Sequence, residues 1–143
     1  VMGAEGPVGM STSDVFDGKK VVLFAVPGAF TPTCSVAHLP GFVVHLDDIK
    51  GKGVDTVACM SVNDVFVVDA WGKSANAEHL LMLADGNGDF AKALDLTLDG
   101  RGFGMGLRSQ RFAMIVDNGV VSLLNVDAGA LDGSSAEAIL AAL

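Results

Sequence analysis

The sequence predicts an α/β fold, a central mixed β-sheet flanked by helices, and three observations carry that prediction. A continuous apolar run at residues 21–26 and a second stretch, 54–62, that reads as a buried strand are each followed by a segment of helical character, the pattern of buried strands joined by crossovers. Two later apolar runs, residues 111–117 and 120–126, are joined by Asn118-Gly119, a dipeptide that favours a tight hairpin and so adds antiparallel strands. Ser134 and Ser135 then open a last helix that runs to Leu143.

Taken in order, residues 1–14 are Gly-rich and weakly patterned, and read as a surface segment or a fragment of an edge hairpin. Residues 21–26, VVLFAV, lie between Lys19-Lys20 and Pro27-Gly28 and suit a central strand buried on both faces. After Pro32, Thr33 is expected to cap a helix that carries Val36, Leu39, Val43, Leu46 and Ile49 and ends at Gly51, kinked at Pro40. Asn63 and Asp64 open a helix through Trp71 that ends near Gly72. A short strand at 80–83, a helix at 90–94 and a Gly-rich loop at 100–106 lead into the hairpin. No repeat, low-complexity tract or long linker divides the chain, so residues 1–143 are read as one domain. The chain starts at Val1 rather than Met, and an N-terminal piece is expected to be missing.

Composition narrows the function. Half of the 143 residues are hydrophobic, which excludes intrinsic disorder. With 9 basic against 17 acidic side chains the net charge is −8, which argues against nucleic-acid or anionic-membrane partners, because phosphates are met by clustered Lys and Arg. The run 21–26 is far too short to span a bilayer. Two cysteines are too few for a disulfide framework, so a reducing compartment, the cytoplasm by default, is expected.

Several motifs fail on inspection. Gly102 and Gly104 would need a third glycine where Leu107 stands, and no strand precedes them, so no dinucleotide loop forms. Residues 85–90 begin like a calcium loop, but Phe90 takes the glycine position and Leu96 the terminal glutamate position. A cysteine phosphatase needs an arginine where Pro40 stands, and no Ser-centred G-x-S-x-G elbow is present.

Cys34 remains, in PGAFTPTCS, residues 27–35. It can be a packing residue, a metal ligand or a nucleophile. Free cysteines are often small buried hydrophobes. Here, however, a strand, a turn and a cap precede Cys34, which puts it in the first turn of a helix. Unpaired N–H groups and the positive end of the dipole favour a thiolate there. Cys34, His38 and His45 fall at i, i+4 and i+11, near one helical face, as a three-ligand metal site would require. No Cys-x-x-Cys supports it and Pro40 breaks the spacing, so no metal is expected.

Three blocks decide between these readings: VVLFAVPGAFTPTCSVAHLPGF at 21–42, VACMSVNDVFVVDAWG at 57–72 and RSQRFAMIVDNGVV at 108–121. In them the chain resembles the peroxiredoxins, in particular the atypical type-II subgroup, and Pro27, Thr31 and Cys34 meet that family's Pro-x-x-x-Thr/Ser-x-x-Cys signature. The resemblance implies a thioredoxin-like fold and a thiol peroxidase acting on hydrogen peroxide and organic hydroperoxides without metal, haem or flavin. It implies that Cys34 is the nucleophile and becomes a sulfenic acid. Arg111, with Arg108 as the fallback, then favours the thiolate and holds a peroxide oxygen. Thr31 donates and accepts hydrogen bonds, the backbone N–H groups of Thr33 and Cys34 steady the departing oxygen, and Pro27 covers the pocket and excludes water.

Other residues are read more plainly. Trp71 and Phe30 are core or interface packing, and His38 is structural, near a subunit contact. Animal members of the subgroup carry a second, resolving cysteine near the last helix, where this chain reads LDGSSAEAIL without one. Cys59 is the other thiol, 25 residues beyond Cys34. It is either an inert strand cysteine or a resolving thiol, and the first reading is preferred because buried cysteines resist the movement a disulfide needs. Glutathione, glutaredoxin or thioredoxin then reduces Cys34 directly, and the resemblance also implies a homodimer. The rivals are a disulfide reductase, weakened by the absent Cys-x-x-Cys, and a non-enzymatic binding module that uses Cys34, His38 and His45.

Overall fold

A computed structural model describes all of residues 1–143. The central sheet has five strands: β3 (Lys20–Val26), β4 (Thr56–Ser61), β5 (Leu81–Ala84), β8 (Arg111–Asp117) and β9 (Val120–Asp127), in the order β5-β4-β3-β8-β9. It is mixed as expected. β3 pairs parallel with β4, from Val21↔Thr56 to Val26↔Ser61, and β4 pairs parallel with β5. β3 runs antiparallel to β8, and β8 to β9.

The continuous apolar run of β3 follows from its central place: residues 21–26 are wholly buried. Val22, Phe24 and Val26 face one core with Cys34, Phe42, Cys59, Trp71 and Ile139. Val21, Leu23 and Ala25 face the other with Val15, Phe16, Met60 and Phe112. Asn118 and Gly119 have φ of 46° and 81°, the left-handed pair that a two-residue hairpin turn matched to strand twist requires. The last helix, α6 (Ala136–Ala142), is capped by Ser135, whose hydroxyl accepts from the N–H of Ala138. No helix is long and apolar enough to cross a membrane.

Between residues 32 and 51 the structure departs from the single kinked helix. Helical backbone begins at Pro32, and Thr33 is already helical (φ −65°, ψ −36°) with no side-chain cap bond. The N–H of Ser35 donates to the Thr31 carbonyl at 2.9 Å, so Thr31 holds the cap position and Pro32 the first helical one, where a missing N–H costs nothing. Cys34–His38 then form a π-helical turn, and the N–H of Leu39 donates to the carbonyl of Cys34. Pro40 cannot donate to Val36, and the widened turn ahead of it accommodates that loss. The break falls at His45 (φ −94°, ψ 7°), between α2 (Leu39–Val44) and α3 (Leu46–Gly51), rather than at Pro40.

Met2–Gly3 (β1) and Gly6–Pro7 (β2) pair as a short hairpin, the second of the two readings of residues 1–14, and Thr12–Phe16 (α1) is a helix the reading missed. Its signal was present: Ser11 and Asp14 form a reciprocal capping box, each side chain bonded to the other's backbone N–H. Val65–Ser74 (α4) runs past Gly72, and Asp89–Ala93 (α5) matches the short helix. Around the Gly-rich loop, Thr97–Asp99 (β6) and Leu107–Ser109 (β7) form a two-stranded ribbon. Trp71 is buried in the core, whereas Phe30, at φ 62°, is 55% exposed.

Candidate active site

The antiparallel pairing of β3 with β8 is what builds the site. It sets the start of β8 beside the end of β3, so Arg111 meets the loop that carries Cys34. Alternation along β8 puts Arg111, two residues before Ala113, on the same face as the core that holds Cys34. Both are buried, at 7% and 1% exposure. The Nη2 of Arg111 donates to Cys34 Sγ at 3.1 Å and its Nη1 donates to His38 Nδ1 at 2.7 Å. The ion pairs of the molecule lie elsewhere, so no carboxylate neutralises this guanidinium.

His38 is defined by its neighbours. A guanidinium can only donate, so Nδ1 accepts; the Ser134 carbonyl can only accept, so Nε2 carries the proton it donates at 2.8 Å. The ring is therefore neutral. Burial, reinforced by the Arg111 charge and partly offset by the Ser134 carbonyl, pushes its pKa down to about 4. Phe24 and Phe42 hold the ring in place, their centroids 4.9 and 5.7 Å from its own.

The preceding loop closes over the sulfur. The Thr31 hydroxyl donates to the Gly28 carbonyl at 2.6 Å, which commits its hydrogen and leaves its lone pairs to accept. A Cβ at Gly28 would come within 3.0 Å of Thr31 Cγ2 and 3.2 Å of Met105 Cε, so a larger residue there would push both side chains aside. Pro27 is half-buried beside it. The N–H of Ala29 donates to Asn63 Oδ1 at 2.9 Å, which ties the loop to the end of β4. The N–H groups of Thr33 and Cys34, at the helix N-terminus, have no intramolecular acceptor.

Arg108 does not reach the sulfur. Its Nε donates to the Met105 carbonyl at 2.8 Å and its Nη1 to that of Val62 at 3.0 Å, which anchors the loop. Trp71 donates its indole N–H to Ser35 Oγ at 2.9 Å, one residue from Cys34. Cys59 lies in β4 between Phe24 and Met82, on the Cys34 face, and both thiols are free. Burial pushes the Cys59 thiol well up, and charge at Cys34 acts in the same direction. His45 turns away to Glu137 at 3.3 Å and Asp48 at 3.8 Å, so the trio Cys34, His38 and His45 does not converge. An apolar cavity lined by Val8, Met10, Val15, Phe16, Met60 and Phe90 lies on the opposite side of the sheet from this chemistry.

The Redoxin family matches residues 2–140. Peroxiredoxin-2C of Arabidopsis thaliana is 48% identical over 136 residues, covering 94% of this chain and 84% of that protein. The chain is a peroxiredoxin of the Redoxin family. The chloroplastic Peroxiredoxin-2E of the same plant is 49% identical over 138 residues, 94% of this chain and 59% of that one. Reduced Prx3 of Vibrio vulnificus, solved in complex with hydrogen peroxide, superposes with a TM-score of 0.95 at 60% identity, over 99% of this chain and 89% of that one. These likenesses fit the type-II subgroup and the thioredoxin-like fold, and this peroxiredoxin is a thiol-dependent peroxidase.

Within the peroxiredoxin the reading of residues from sequence missed three parts of the network. His38 contacts Arg111 rather than simply filling space, and its i+4 spacing from Cys34 was the available signal. Asn63 clamps the loop, and Ser134 supplies a carbonyl from 96 residues away; neither left a local signature.

Proposed function

We propose that Cys34 is the peroxidatic thiol and that the Arg111 bond to its sulfur carries the chemistry. A buried guanidinium without a carboxylate is best satisfied by an anion, and the sulfur it touches becomes that anion as a thiolate. The thiolate attacks one peroxide oxygen, the O–O bond breaks, and the other oxygen leaves as hydroxide or alkoxide that takes a proton to give water or alcohol. Cys34 is left as a sulfenic acid. Arg111, and the N–H groups of Thr33 and Cys34, stabilise charge on the oxygens as they part, while the Thr31 oxygen accepts from the peroxide O–H. Pro27 keeps water from the pocket, and His38 holds the second arm of Arg111.

The substrates are hydrogen peroxide and small organic hydroperoxides. An external thiol then attacks the sulfenic sulfur, releases water and forms a mixed disulfide, which a second thiol resolves. Glutathione with glutaredoxin, or thioredoxin, fills that role, because the Cys59 thiol is buried and held protonated. The unit is one domain over residues 1–143, works as a homodimer and suits a reducing compartment such as the cytoplasm.

Intact mass of the reduced protein after one equivalent of hydrogen peroxide tests this reading. Gain of one oxygen confined to Cys34 is expected. Loss of two hydrogens with a Cys34–Cys59 peptide would replace the external thiol with an internal one, and no rapid change would sink the assignment of Cys34.

A further inference from the structure

Arg111 and Asp127 stand opposite each other in the β8–β9 register, yet their side chains make no ion pair. The Asp127 carboxylate turns instead to the loop before α6. Its Oδ2 accepts from the N–H of Asp132 at 2.9 Å, the N–H of Ser134 at 2.9 Å and the Ser134 hydroxyl at 2.6 Å, and its Oδ1 accepts from the N–H of Gly133 at 3.1 Å. Partial burial works against its charge, but these bonds outweigh it and hold the carboxyl below its usual range. The clasp fixes Ser134, which is wholly buried, with its carbonyl on His38 Nε2, and His38 in turn meets Arg111.

We infer that Asp127 is a positioning residue for peroxide reduction: through Ser134 and His38 it orients the Arg111 guanidinium at Cys34 without neutralising it. The physical advantage lies in the route. A carboxylate bonded directly to Arg111 would compete with the thiolate for its donors, whereas a neutral carbonyl and a neutral imidazole fix its direction and leave its charge for the sulfur and the peroxide. The Nε2–H bond of His38 to the Ser134 carbonyl is the mark of that route, since losing it leaves the ring held by the Arg111 donor alone. The inference rests on the assignment of Arg111 given above.

The test uses the full chain, with the sole tryptophan, Trp71, as a fluorescent reporter beside the site. The second-order rate constant of Cys34 with hydrogen peroxide is measured by stopped flow for wild type, Asp127→Asn, Ser134→Ala and Arg111→Ala, and the ring nitrogens of His38 are followed by 15N NMR. Asp127→Asn is expected to slow the reaction roughly 10- to 100-fold, the scale of a small misplacement at a catalytic group, and to move the 15N resonance of His38 Nε2 as its bond to the Ser134 carbonyl weakens. Ser134→Ala, which keeps the carbonyl and loses one bond of the clasp, is expected to move both readouts less and in the same direction. If Asp127→Asn folds and keeps the wild-type rate while Arg111→Ala is slow, Asp127 only shapes its loop and the inference fails. A slower rate with an unchanged His38 Nε2 resonance also overturns the route. Should Asp127→Asn not fold, wild-type behaviour of Ser134→Ala overturns it as well. Arg111→Ala at the wild-type rate is a different result and removes the underlying assignment instead.

Discussion

His38 has 1% of its surface exposed and sits between a guanidinium and a carbonyl. Its placement has a consequence for pH. An unfolded histidine titrates near 6.5, and here the folded value is about 4. Between those values the unfolded chain binds a proton that the folded chain refuses, so stability falls as pH falls. The contribution is fully present above about 6.5 and is lost by about 4, on the order of 3 kcal/mol in all. Urea unfolding at pH 7 and pH 4.5 should show a loss of that order, and His38→Gln should flatten it. An unchanged pH dependence in that variant would mean that His38 is not the titrating group.

At the scale of elements, two local devices aim the parts of the site. Pro32 at the first helical position and the π turn at Cys34–His38 place the thiol and the imidazole on the same side of one short segment. The β8–β9 hairpin brings Asp127 level with Arg111, and the turn at Asn118-Gly119 sets its register. Gly119→Ala forces a side chain into left-handed backbone at φ 81° and should cost roughly 1–2 kcal/mol, read from the urea midpoint. The site lies at the far end of the hairpin, so the peroxide rate constant of the folded variant should stay at the wild-type value. The buried strands and this turn were legible because apolar runs and Asn-Gly are local signals. The π turn was not, because it answers a missing N–H at Pro40 within a packed helix whose spacing still reads as α.

Across the whole molecule, the ends of β3 and β4 and the start of β8 converge at one end of the sheet. Phe30, Phe66 and Phe103, at 55%, 63% and 88% exposure, are carried by the segments next to these ends. Aromatic side chains left to water beside a buried site fit a surface covered by a second copy. Sedimentation at micromolar concentration should give a dimer for the wild-type chain and a shift toward monomer for Phe66→Asp. A monomer in both would remove the dimer from the proposal. The net charge of −8 works against association with polyanions.

By itself the sequence determined the mixed α/β sheet, the hairpin, the family, and Cys34, Thr31 and Arg111 as the residues to examine. Each of these depends on local spacing or on a contiguous motif, and such signals survive in a linear string. Only the tertiary structure put Arg111 on the sulfur and Arg108 off it, since Arg111 opens β8 on the Cys34 face whereas Arg108 lies in the β6–β7 ribbon and donates to the Met105 and Val62 carbonyls. It alone joined His38, Ser134 and Asp127 into one line of hydrogen bonds. Those residues lie up to 96 positions apart, and hydrogen-bond direction is set by where the fold brings two groups together, which no spacing along the chain encodes.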